Sequence, residues 1–119
     1  MQIFGKRKPK SLDWYVAVYV PATTDVDRKI DNTIYVKQAL RVLSQLFGGA
    51  TAVQTRGAWV ADDKRLIIER TVLVYAYCQT VTGRDRRAIS RYATYLKGAL
   101  KQESVAYEIR KQSGGLTFV

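Results

Sequence analysis

Two groups of cations have the spacing to contact phosphate. Arg86, Arg87, Arg91, Lys97 and Lys101 fall on one side of a helix wound at about 100° per residue, and Lys6, Arg7, Lys8 and Lys10 cluster near the N-terminus. Cations ranged along a helix can follow a nucleic-acid backbone and release its counterions. A charged face is also what any solvated helix shows. No acidic residue interrupts this one after Asp85, which moves the balance toward phosphate. Tyr15, Tyr19, Tyr75 and Tyr77 occupy alternate positions of two apolar stretches. Such a row can stack bases, and it equally suits an interface with a second copy.

Catalytic candidates are fewer. Glu69 beside Arg70 has the makings of a general acid or base, but a cross-strand ion pair with Arg56 or a neighbour accounts for it more simply. Cys78 has no histidine to activate it and ends an apolar run, so it reads as a small buried hydrophobe. The chain has no histidine at all and one cysteine. That inventory removes a histidine-based triad, a classical zinc site and a disulfide framework, and no catalytic residue, metal or cofactor is expected. Gly48-Gly49 is not a phosphate loop, because no Lys-Ser/Thr follows and the pair ends a helix instead of starting one.

Periodicity supplies the elements that must position these groups. Trp14–Val20 is a strand with Trp14, Val16, Val18 and Val20 on one face and the tyrosines on the other. Residues 33–47 form a helix with Val36, Ala39, Leu40, Leu43, Leu46 and Phe47 facing a core, and Gly48 closes it in the left-handed conformation. Ala50–Val60 and Arg65–Cys78 make a hairpin about the turn 61–64, with a bulge or close approach at Gly57. Asp85 caps a second helix, residues 86–102, whose Ile89, Tyr92, Ala93, Leu96 and Leu100 turn inward. A strand over 105–110 follows, Ser113-Gly114-Gly115 turns, and Leu116–Val119 is a possible extra C-terminal edge strand. The order βαββαβ predicts an α+β, ferredoxin-like two-layer sandwich, an antiparallel sheet with both helices on one face. The expected organisation is a basic flexible arm over residues 1–11 and a single α+β domain over 12–119. The sequence leaves open which sheet face carries the tyrosines, since Leu73 and Ile67 share their parity.

Leu43, Ser44, Phe47–Thr51, Gly57, Trp59, Glu69, Gln102, Glu103 and Val105 spell L-S-x-x-F-G-G-A-T, G-x-W, a strand glutamate and Q-E-x-V. In this the chain resembles a group of small bacterial proteins, and the resemblance implies the fold without an activity.

The formal charge of +10 favours an acidic partner. The resulting expectation is a small, basic, non-enzymatic protein that contacts nucleic acid through phosphates with little sequence readout. The alternative is a dimeric accessory or inhibitory module for an acidic protein. A homodimer through the uncovered sheet face or an adjacent edge is expected, with no membrane partner. No signal-peptide core or apolar run of about 20 residues stands in the chain, so a soluble, cytoplasmic protein is expected.

Overall fold

A computed structural model describes residues 11–24 and 28–118. Strand β1 (Ser11–Pro21) is followed by two short strands, β2 (Thr23–Thr24) and β3 (Arg28–Lys29), then helix α1 (Thr33–Phe47). Strands β4 (Thr51–Val60) and β5 (Leu66–Cys78), helix α2 (Gly83–Ala99) and strand β6 (Tyr107–Thr117) complete the chain. The main sheet runs β4-β5-β1-β6, and every neighbouring pair is antiparallel. It is an α+β architecture of two helices on an antiparallel sheet.

The centre of the sheet is set by β-branched residues in alternation. Val16, Val18 and Val20 of β1 and Val74, Ala76 and Cys78 of β5 form one buried face, and Ala39, Leu43, Phe47, Ile89, Leu96 and Leu100 of the two helices close over it. Trp14 joins this side and lies under the Arg86 guanidinium, 5.6 Å from its ring centre. The tyrosine parity is thereby fixed. Tyr15, Tyr19, Tyr75 and Tyr77 point to the face without helices.

Helix α1 has the expected bounds, and Gly48 (φ 90°) ends it with its N–H on the Ser44 carbonyl. The second helix differs from the expectation at both ends. Thr82 is the N-cap, and Asp85 is the third residue of a reciprocal capping box: Thr82 Oγ1 accepts from Asp85 N–H, and Asp85 Oδ2 accepts from Thr82 N–H. Satisfying two orphan donors outweighs the poor helix propensity of Gly83. The far end stops at Ala99, and Lys101 takes a left-handed conformation (φ 50°).

Two glycine readings are corrected as well. Gly57 pairs regularly with Glu69 and a Cβ there would meet nothing within 4 Å, so there is neither bulge nor close approach. Ser113-Gly114-Gly115 does not turn into an extra edge strand. β6 runs on to Thr117 along β1, and its register slips from Leu12 opposite Leu116 to Trp14 opposite Lys111. Gly115 stands in that slip, where a Cβ would come 2.9 Å from the Gln112 carbonyl oxygen. Ser11 is already part of β1, and the expected basic arm otherwise lies outside the described residues.

Two outcomes check this packing. Leu43→Ala, at a fully buried site, should lower the unfolding free energy by about 3 kcal/mol, whereas Ile34→Ala on the same helix, 67% exposed, should change it by less than about 0.5 kcal/mol. Chemical denaturation of both variants measures the contrast. Burial, with the Asp85 carboxylate adding to it, pushes the Cys78 thiol from its ordinary 9.0 up to about 11. A folded-state value above the unfolded one means that the neutral thiol stabilises fully below pH 9 and loses that contribution as pH rises toward 11. Denaturation midpoints across this range should therefore fall more steeply for the native protein than for Cys78→Ala, and thiol reagents at pH 8 should label Cys78 only on unfolding.

Candidate active site

The uncovered face divides into two regions. At one end Tyr15, Tyr75 and Tyr77 form an aromatic cluster, with ring centres 5.8 Å apart for Tyr15–Tyr75 and 5.3 Å for Tyr15–Tyr77. The Arg110 guanidinium covers the Tyr15 ring at 4.7 Å, and only 7% of Tyr15 is exposed. Burial, and next the charge of Glu108, raises the Tyr15 phenol above its ordinary value. The expected platform of four tyrosines is not assembled as one unit. Tyr15 is already stacked and covered, and Tyr19 turns away to donate to Glu108 Oε1 at 3.4 Å.

The other end is a cleft of about 480 Å³. Its floor comes from β4 and β5, where Thr55 and Thr71 face each other in register with hydroxyl oxygens 2.6 Å apart. Tyr19 and Pro21 of β1, Thr23 of β2 and the segment Gln102–Ala106, hydrogen-bonded to one another through Tyr19 N–H to the Ala106 carbonyl and Gln102 Nε2 to the Thr23 carbonyl, line the rest. Glu69 stands in the cleft, its Oε1 accepting from Trp59 Nε1 at 3.3 Å. Strand alternation explains why this carboxylate does not pair with Arg56. Residue 57 is opposite 69 and residue 56 opposite 70, so Glu69 points to the uncovered face while Arg56 and Arg70 oppose one another on the other side. The expected ion pair is thus replaced by a Trp59 contact.

The chain has three glutamates, and two of them, Glu69 and Glu103, line this cleft. Glu108 holds the hydroxyl of its lining residue Tyr19. Glu108 is partly offset by Arg110, 3.8 Å away, whereas Glu69 and Glu103 make no ion pair among the described residues. Arg56 and Arg70 also contribute to the lining, so the cleft offers both signs of charge, carboxylates for a cationic or hydroxyl group and guanidinium-bearing residues for a carboxylate. The sequence reading singled out Glu69 but not Glu103, Glu108, Thr55 or Thr71, which lie far apart in the chain. The available signals were the scarcity of glutamate and the pairing of Glu69 with Gln102 and Glu103 in the pattern shared with small bacterial proteins.

The expected phosphate-contacting residues are elsewhere. Arg86, Arg87, Arg91 and Lys97 are exposed on α2, with Arg91 Nε donating to the Arg87 carbonyl at 3.4 Å. Lys101 is off the helix, and Lys6, Arg7, Lys8 and Lys10 lie outside the described residues. No described helix is long and apolar enough to cross a membrane.

No protein-family model and no curated protein matches the chain. Among solved structures it is similar to a phage SAM lyase in complex with S-methyl-5'-thioadenosine, at 17% identity and a TM-score of 0.64, covering 90% of this chain and 87% of that one. It is likewise similar to a phage SAM lyase in the apo state, at 17% identity and a TM-score of 0.65, covering 95% and 90%. The expectation of a non-enzymatic binding protein, for nucleic acid or for an acidic partner, is corrected by this likeness, because the shared fold is one that enzymes carry.

Proposed function

We propose that the protein is an enzyme that cleaves S-adenosylmethionine, or a closely similar adenosyl sulfonium, in the cleft of the uncovered sheet face. The observation that carries this reading is one cleft lined by Glu69 and Glu103 together with Arg56, Arg70 and the hydroxyl residues Tyr19, Thr55 and Thr71, groups that complement both the ammonium and the carboxylate of a methionyl chain. It gains its direction from the likeness to a lyase bound to S-methyl-5'-thioadenosine. The strand order supports the finer reading of the architecture as a ferredoxin-like βαββαβ sandwich, since β5 lies between β1 and β4 and β1 lies between β5 and β6.

The chemistry suits an enzyme without histidine. To release S-methyl-5'-thioadenosine from this sulfonium, the bond between sulfur and the γ-carbon of the methionyl chain must break. The substrate's own carboxylate can attack that carbon, forming a carbon–oxygen bond and closing a five-membered lactone, while the bonding pair leaves on sulfur as a neutral thioether. Atoms and charge balance with no water and no proton transferred, so no general base is required. The protein's tasks are to fold the methionyl chain into the attacking geometry and to keep water away.

Electrostatics assigns the glutamates their place. Attack by a carboxylate on a sulfonium centre destroys charge in the transition state. A protein carboxylate clasping the sulfur would therefore favour the ground state and slow the step. Glu69 and Glu103 act instead on groups that keep their charge or polarity throughout, the ammonium and the sugar hydroxyls. The Thr55–Thr71 pair and Tyr19 add hydroxyls to the same floor and wall.

We also propose the homodimer expected from the sequence. Val60, Leu66 and Ile68 are 63%, 62% and 60% exposed on one face of the β4–β5 hairpin, an apolar surface of the kind that marks an interface. They lie at the β4 edge of the sheet. Light scattering should give a mass above the 13.5 kDa of one chain, and Leu66→Glu with Ile68→Glu should reduce it to that value.

Incubation with S-adenosylmethionine should release S-methyl-5'-thioadenosine, detected by chromatography, and the absence of any such product would sink the proposal. Glu69→Gln and Glu103→Gln should each raise KM about tenfold with a smaller effect on kcat, the pattern of lost uniform binding. Since no protein group changes protonation, kcat should be flat between about pH 6 and pH 9. A bell-shaped profile would overturn the proton-free step.

A further inference from the structure

The wall of the cleft formed by residues 102–106 has neither helical nor strand structure, yet it is tied down at defined points. Its N-terminal anchor is Gln102. The side-chain Nε2 of this residue donates to the Thr23 carbonyl at 2.9 Å and to the Leu100 carbonyl at 3.1 Å, and its backbone N–H donates to the Lys97 carbonyl at 2.9 Å. One amide group thus joins the end of α2 to β2. Thr23 and Glu103, both on the cleft lining, are held together through it. At the other anchor the Ala106 carbonyl accepts from Tyr19 N–H at 3.0 Å, and Val105 packs against the core. Between these points Glu103 and Ser104 are exposed beside the cavity.

The entry to this segment carries backbone strain. Lys101 adopts φ 50°, a conformation that glycine takes freely and lysine does not. Its N–H reaches the Gly98 carbonyl at 3.3 Å, and the Gln102 N–H reaches back to Lys97, a helix-ending motif in which glycine normally fills the left-handed position. Ending the helix there turns the chain so that Gln102 meets Thr23 and Glu103 comes to the cleft.

We infer that residues 102–106 form a substrate-positioning strap and that Gln102 is its positioning residue, fixing Glu103 relative to Thr23. This rests on the proposed cleavage of an adenosyl sulfonium in the same cleft. Gln102 acts through Glu103, so its loss weakens capture of the cationic substrate more than the bond-breaking step. A residue that only capped the helix would affect stability and leave capture alone.

The test compares wild type with Gln102→Met, which keeps the side-chain length and removes both donated hydrogen bonds, and with Lys101→Gly, which relaxes the strain and keeps them. The measurements are KM and kcat for S-adenosylmethionine, the affinity for S-methyl-5'-thioadenosine by calorimetry, and amide exchange over residues 101–106. Gln102→Met should raise KM about tenfold, weaken S-methyl-5'-thioadenosine by a similar factor, hold kcat within about threefold and speed exchange of the strap amides. Lys101→Gly should leave KM within about twofold and raise Tm or leave it unchanged. Gln102→Met with lowered Tm but wild-type KM and affinity would reduce Gln102 to a helix cap and overturn the strap. Wild-type protein that neither cleaves nor binds these compounds would instead defeat the functional reading, and the strap's role in substrate positioning with it, before any variant is made.

Discussion

The register of β1 on β5 is the constraint from which the rest of the structure follows. Val16 opposite Ala76 and Val18 opposite Val74 place small and β-branched side chains on one face of the two central strands, where two amphipathic helices cover them. A slip of one residue would turn every one of these side chains over, exchanging valines for tyrosines under the helices. That cost locks the uncovered face as well. Tyr19, Leu73, Thr71, Thr55 and Glu69 stand together on it because their neighbours in sequence are held in the core or on the opposite side.

Around this frame the distribution of charge is uneven. The cations of α2 are spread over solvent, with Arg86 also resting on Trp14, whereas two of the three glutamates, Glu69 and Glu103, share one cleft. A net charge of +10 describes how the whole molecule meets a distant charged body and does not describe the field inside a pocket. The cleft itself carries both signs, through Glu69 and Glu103 and through Arg56 and Arg70.

The step from a chain without histidine to a protein without an activity failed for a chemical reason. The absence of histidine removes triads and most proton shuttles, but it says nothing about reactions that move no proton. A sulfonium is a leaving group without protonation, and a substrate that carries its own nucleophile needs geometry more than chemistry from the protein. An inventory of side chains can exclude mechanisms only where the protein must supply the reacting group.

The sequence by itself determined the elements. The apolar stripe of α1, the Gly48 closure, the hairpin about residues 61–64 and the alternation in β1 and β5 are local patterns, and each is legible because the period of a helix or a strand is written in adjacent residues. Local detail was lost where two signals competed. Thr82 took the cap from Asp85 because the two cap each other, and the glycines near residue 114 accommodated a register slip instead of a turn. Only the tertiary structure decided the face of the tyrosines, the opposition of Arg56 to Arg70, and the place of Glu69 and Glu103 on one cleft. Those facts depend on which strands are neighbours and in what register, and pairing between segments tens of residues apart leaves no periodic trace in either segment.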